Sequence, residues 1–292
     1  MDSGSALRGL RICTGSDVQS DGIKRAVVFP GQGTVGGEVT GAARGAVREY
    51  VRGGAVPYQL SVFAGSVDLL YRLREAGVEP DVVAGHSLGE YAAAHAAGCL
   101  SLTDGVRLVA ERDRLMSAAS RENPGGMVAL IGADPDRVAR AAEEAEGIVV
   151  AANFNTPRQT VVSGEMDALE EVAESVRGRK VRLEVSGAFH SPLMEGAAGE
   201  MDELLRGVEL EEPKIPMVGA TDGALLVTAD EVLGALQKQM LSPVRWVAVI
   251  GRMMDLGVRE IFEAGEDGTL TRMLRDFKRE DVEGNTVREV LT

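Results

Sequence analysis

Two rhythms alternate along the chain: short continuous apolar runs, and stretches whose apolar residues recur every three to four positions. The first predicts buried strands and the second helices. Ala26–Phe29 is an apolar run closed by Pro30-Gly31-Gln32-Gly33, so a strand ending in a turn is expected, followed by a loop or short helix. Between Tyr58 and Glu75, Leu60, Phe63, Val67 and Leu70 fall at helical spacing, and Gly77 supplies the stop. Asp81–Ala84 predicts a short strand, Gly85-His86-Ser87-Leu88-Gly89 a sharp turn, and the alanine-rich stretch to Ala97 a helix. Asp104–Ser117 predicts another. Strand and helix in repeated succession point to a parallel α/β sheet.

The middle of the chain changes pace. Met127–Ile131 predicts a strand, and Asp134-Pro135 caps a helix running to Gly147. Ile148–Ala152 and Thr160–Ser163 predict strands separated by Asn153-Phe154-Asn155-Thr156-Pro157. Met166–Val176 predicts a helix, and Lys180–Val185 alternates Val181, Leu183 and Val185 with charged residues. The order β-α-β-β-α-β is ferredoxin-like. Residues 125–186 are therefore read as a small subdomain inserted into a larger α/β unit formed by 25–124 and 187–292. In that second part, Ile215–Val218 and Glu260–Glu263 predict further strands. Residues 1–24, rich in Gly, Ser and Asp and without a secretory apolar region, are read as a disordered lead-in with no export role.

Charge and composition narrow the partners. The 31 basic and 45 acidic residues leave a net charge of −14, which opposes nucleic-acid binding. An acidic ligand would need a local basic patch, for which Lys238, Arg245 and Arg158 are candidates. No stretch approaches the roughly 20 apolar residues of a membrane span. Cys13 and Cys99 form no disulfide framework or metal spacing, and the three histidines are scattered. No metal or cofactor is expected, and a cytoplasmic location is.

Three positions carry chemistry. Gly85-His86-Ser87-Leu88-Gly89 fits G-x-S-x-G, in which glycines let a strand turn abruptly into a helix and lift the serine hydroxyl clear of the backbone. The helix N-terminus beneath it offers N–H groups and a positive dipole end to a developing oxyanion. Arg112 sits amid Leu108, Val109, Leu115 and Met116 on one helical stripe, while Arg107, Glu111 and Arg114 lie opposite. A buried guanidinium calls for an anion, either an internal carboxylate or that of a substrate, unless the side chain snorkels to the surface. His190 precedes Ser191-Pro192, a helix start with a cap and a first-turn proline, and is a candidate general base for Ser87.

These segments together resemble the malonyl-CoA:acyl-carrier-protein transacylase family, which includes the acyltransferase domains of polyketide synthases. The likeness runs through Phe29-Pro30-Gly31-Gln32-Gly33, Gly85 to Tyr91, Glu111-Arg112 and Asn153 to Pro157. It continues through Gly187 to Met194 and Gln239 to Trp246. The resemblance implies a hydrolase-like α/β domain with a ferredoxin-like insert. It implies Ser87 as nucleophile, His190 as general base and acid, and Arg112 as the grip on the malonyl carboxylate. The backbone amides of Gln32 and Leu88 would form the oxyanion hole, and the main-chain carbonyl of Gln239 would orient His190. Gln59 and Asn155 would lie at the pocket, and Phe189 beside His190 would favour malonyl over branched acyl groups. The implied partners are malonyl-CoA and the phosphopantetheine arm of an acyl carrier protein, and the implied state is a monomer.

Three departures stand out. Only 26 residues separate Gln32 from Gln59, fewer than the family usually has; Thr34-Val35 replaces a common Ser-Gln; and Gly265-Glu266-Asp267-Gly268 stands where Gly-Pro-Gly is common. Ser87 and His190 would equally serve a thioester hydrolase on the same fold, with water in place of the acceptor thiol. A non-catalytic carrier-binding relative is opposed by the intact Ser87, His190, Arg112 and Gln32. A generic serine esterase would leave the Gly-Gln-Gly and Asn-Phe-Asn-Thr-Pro segments unexplained.

Overall fold

A computed structural model describes residues 24–33, 41, 43–51 and 55–291. All of the expected lead-in but Lys24 lies outside the described residues, as do Cys13 and Thr34-Val35. The first stretch runs β1 (Arg25–Phe29), α1 (Ala43–Val47), α2 (Tyr58–Glu75), β2 (Val82–Gly85), α3 (Gly89–Ala96) and α4 (Leu102–Glu122). The middle is β3 (Gly126–Ile131), α5 (Pro135–Glu144), β4 (Val149–Thr156), β5 (Gln159–Gly164), α6 (Met166–Ser175) and β6 (Arg179–Arg182). The last part is α7 (Glu195–Arg206), β7 (Met217–Val218), β8 (Leu225–Leu226), α8 (Ala229–Lys238) and α9 (Trp246–Asp255). It ends with β9 (Glu260–Glu263), α10 (Thr269–Met273), β10 (Glu283–Thr286) and α11 (Val287–Leu291).

Two sheets result. The larger has the order β10-β9-β1-β2-β7-β8, parallel except for the β7–β8 pair. The smaller is antiparallel, with the order β4-β5-β3-β6. The α/β class and the ferredoxin-like order of the middle segment are therefore as the apolar pattern predicts. Alternation along β1 explains why both faces of the large sheet are covered. Val27 and Phe29 join the cluster of Leu60, Phe63, Leu70 and Leu108, whereas Ala26 and Val28 join that of Trp246, Val249, Ile250 and Met253. In β3, Val128 and Leu130 pack with Val138, Leu169 and Val172 of α5 and α6, while Met127 and Ala129 face the main core. Among the described residues, no helix is long and apolar enough to cross a membrane.

Several boundaries differ from expectation, each for a physical reason. Asn153–Thr156 continues β4 rather than forming a loop. Register shifts between Ala151 and Asn153, and between Phe154 and Thr156, accommodate it in the ladder. The same segment also pairs outward. Asn153 bridges to Val244 in parallel, with Phe154 N–H donating to Val244 O at 2.8 Å and Val244 N–H to Ala152 O at 2.8 Å. This anchors β4 to the segment between α8 and α9. β6 stops at Arg182 rather than Val185, because it pairs with β3 only over Arg179–Arg182. β10, Glu-Gly-Asn-Thr, has no apolar alternation to announce it and exists by pairing alongside β9. Helix α4 starts two residues before the expected Asp104, where Ser101 Oγ accepts from the Asp104 amide at 3.0 Å, and runs five past Ser117.

Candidate active site

The site opens at the C-terminal ends of adjacent parallel strands β1 and β2, where ligands of open α/β sheets gather. β2 turns into α3 through Ser87, whose φ of 51° lies in the left-handed region. Space explains the flanking glycines. A Cβ on Gly85 would sit 2.0 Å from the Gly89 carbonyl carbon, and one on Gly89 only 2.1 Å from Phe29 O. A Cβ on Gly31 would meet His86 O at 2.5 Å. The chain after β1 thus passes close under the elbow and brings Gln32 beside it. Leu88, the N-cap residue of α3, is buried.

His190 comes from the far side of the sequence, 103 residues on, with a φ of 59°. Its Nε2 lies 2.8 Å from Ser87 Oγ. Its Nδ1 lies 2.9 Å from the Gln239 carbonyl and 3.0 Å from that of Ser242. Two carbonyl acceptors there require Nδ1 to carry the proton, which leaves the Nε2 lone pair facing the serine hydroxyl. Burial and then the nearby Arg112 cation pull His190 down to about 4, with the backbone carbonyls opposing, so the ring is neutral at pH 7.

Arg112 is fully buried at 0% exposure. Its Nη2 donates to Ser87 Oγ at 3.1 Å and to Gln239 Oε1 at 3.0 Å, Nε donates to the same Oε1 at 3.2 Å, and Nη1 donates to Gln59 Oε1. The guanidinium also stands 5.9 Å from the centre of the Tyr91 ring. Among the described residues, no ion pair includes Arg112, and its hydrogen-bond partners are neutral oxygens. An internal carboxylate does approach, but at one remove. Glu90, also 0% exposed, accepts from Gln239 Nε2 at 2.7 Å through Oε2 and from Ala220 N–H at 2.8 Å through Oε1. Burial pushes the Glu90 carboxyl up to about 7, with the Ala220 and Gln239 N–H groups and Arg112 pulling against it. Gln239 Nε2 donates its second hydrogen to Ser87 O at 2.9 Å.

Ser87, His190, Arg112, Gln59 and Gln239 therefore meet in one hydrogen-bonded network. Phe189 is buried beside His190. Asn155 stands one step away: its Oδ1 lies 2.8 Å from His86 Nε2, and its Nδ2 donates to Gln159 Oε1 at 2.7 Å. Sequence reasoning missed Glu90, Ser242 and the side chain of Gln239. Glu90 did leave a trace, as the single carboxylate in the apolar helix Gly89–Ala96. Its place in the first turn disguised it as an ordinary partner of the helix dipole.

The acyl transferase domain family model matches residues 54–290 of this chain, beyond the Phe29–Gly33 turn. A malonyl CoA-acyl carrier protein transacylase of Bacillus subtilis is 32% identical over 228 residues, 76% of this chain and 72% of that protein. A polyketide synthase of Streptomyces halstedii is 42% identical over 253 residues, 84% of this chain but only 4% of the synthase. A malonyl-transacylase solved in complex with its type II polyketide synthase acyl-carrier protein superposes with a TM-score of 0.83. It is 30% identical, and the match covers 92% of this chain and 98% of that one.

Proposed function

Since this chain belongs to the acyl transferase family, we propose that it moves a malonyl group from malonyl-CoA to the phosphopantetheine thiol of an acyl carrier protein, in fatty-acid or polyketide synthesis. The observation that carries the residue roles is the contact set at one oxygen. Ser87 Oγ lies 2.8 Å from a neutral His190 Nε2 and 3.1 Å from the Arg112 guanidinium. His190 takes the Ser87 proton as Oγ attacks the thioester carbonyl. The tetrahedral oxygen develops its charge toward the backbone amides of Gln32 and Leu88 at the start of α3. Collapse breaks the carbon–sulfur bond, and His190 returns its proton to the departing CoA sulfur. In the second half the carrier's thiol gives its proton to His190 and attacks the Ser87 ester. Oγ then leaves and regains the proton.

Arg112 receives the malonyl carboxylate. Its neutral partners support this, because a carboxylate forms charge-assisted bonds about twice as strong as those of a hydroxyl or amide oxygen. The entering anion can thus take guanidinium N–H groups from Ser87 and Gln59. Gln239 holds His190 through its main-chain carbonyl, and Phe189 and Asn155 belong to the surroundings that select the acyl group. Residues 125–186 are read as the inserted unit, whose β4 supports the segment carrying Gln239. A cytoplasmic location is read from cysteine usage, since Cys99 is a free buried thiol.

Intact mass after incubation with malonyl-CoA tests the reading. Wild type should gain one malonyl group, and a carrier protein should remove it to its own thiol. Ser87→Ala should gain none, and equal labelling of that variant would overturn the assignment. Loss of the label to water at the same rate with or without carrier would favour the hydrolase instead.

A further inference from the structure

We propose that Glu90 is a positioning residue for acyl choice: it holds the Gln239 carboxamide in one orientation and thereby aims Arg112. This rests on the acyltransfer reading above and extends it to a residue that touches neither the substrate nor the reacting atoms. The Gln239 amide makes four hydrogen bonds. Its nitrogen donates to Ser87 O and Glu90 Oε2, and its oxygen accepts from Arg112 Nε and Nη2. Turned by 180°, the same amide would set its oxygen against a carboxylate and a carbonyl, and its NH₂ group against a guanidinium. Ser87 O alone opposes that turn weakly. Glu90 is decisive because both of its oxygens face donors, Ala220 N–H and Gln239 Nε2, an arrangement that fits the ionised form, which only accepts.

The consequence lies two bonds away. With Oε1 turned toward it, Gln239 grips Nε and Nη2, which leaves the Arg112 fork pointing along Ser87 Oγ at 3.1 Å. A carboxylate-bearing acyl group therefore finds the guanidinium already placed beside the nucleophile. Acyl groups without a carboxylate draw no such benefit. Glu90 acts on substrate choice first and on the rate of the hydroxyl and imidazole chemistry second.

Glu90→Gln keeps the side-chain volume but provides one acceptor and one donor. Its oxygen can satisfy Ala220, and its NH₂ then faces Gln239 and forces the amide to turn. The malonyl-over-acetyl ratio of kcat/KM should fall about 10-fold or more, as expected for a misplaced binding group. With Gln239→Ala as background, which keeps the main-chain carbonyl on His190, Glu90→Gln should change the ratio no further. Glu90→Asp, with its carboxylate withdrawn by one methylene, should shift the ratio in the same direction, and it decides the matter should Glu90→Gln not fold. An unchanged ratio, even with both rates lowered, would mean that Glu90 is a structural carboxylate and would overturn the proposal. So would an undiminished further drop in the Gln239→Ala background. Wild type that takes no malonyl onto Ser87 would instead remove the acyltransfer reading itself.

Discussion

Ser87 and His190 are two of the three non-glycine residues with positive φ among those described, and they are hydrogen-bonded to each other. Such backbone costs of order 1–3 kcal/mol per residue, so the surrounding bonds must hold both in place. For His190 the hold is the pair of carbonyls at Nδ1, and burial keeps the ring uncharged. The depressed titration gives a testable pH limb. A group whose conjugate acid forms only near 4 remains a working base throughout the range in which an ordinary histidine of pKa 6.5 would charge. Labelling of Ser87 by an uncharged phosphonofluoridate should therefore stay level down to about pH 5 and fall only near 4; a midpoint near 6.5 would contradict this. Arg112 supports a second expectation. Arg112→Ala should lose malonyl transfer by roughly 30- to 5,000-fold while gaining relative activity on acetyl-CoA, because one partner of a buried charge pair is removed. Arg112→Lys should recover only part, since an ammonium lacks the planar fork. Steady-state rates with the two thioesters check both variants.

At the scale of elements, the elbow depends on close backbone approach, and two helical glycines, Gly89 and Gly234, separate that cause from mere helix propensity. Gly89→Ala would drive its methyl group to 2.1 Å from Phe29 O, where backbone rather than a flexible side chain must yield. A loss of about 3 kcal/mol or more, together with loss of Ser87 labelling, is expected from such overpacking. Gly234, inside α8, has nothing within 4 Å of its Cβ position. Gly234→Ala should stabilise by about 0.5–1 kcal/mol through helix propensity. Urea unfolding of the two variants should move in opposite directions, and a shared direction would refute the argument from contact. Most elements were legible beforehand because their apolar period reports which face is buried. Helix α2 runs from Tyr58 to Glu75, as its spacing predicts. The polar Asn153–Thr156 continuation and the β10 edge were not legible, since neither carries an apolar period and both exist through partners distant in sequence.

Over the whole molecule, a net charge of −14 repels CoA and any acidic carrier, so approach depends on local cations. Lys238 and Arg245 are exposed at the two ends of the segment joining α8 to α9, and Arg158 is exposed in the β4–β5 turn. The Arg245 guanidinium stands 4.9 Å from the centre of the Phe154 ring, on the strand that pairs with that segment. Carrier transfer should slow as salt rises, because these charges are screened beyond roughly 8–10 Å, and Arg245→Ala should flatten that dependence. Transfer kinetics indifferent to salt would count against the patch. By itself the sequence determined the succession of elements, the Gly-x-Ser-x-Gly elbow and the placing of Arg112 on an apolar stripe, because period and turn chemistry are local properties. Only the tertiary structure decided what Arg112 meets. Its partners come from α2, the turn between β2 and α3, and the end of α8, up to 127 residues away, and the carboxylate that a buried cation calls for reaches it through Gln239 rather than directly. Which buried groups share a hydrogen bond depends on how the helices close over the sheet, and no local pattern records that.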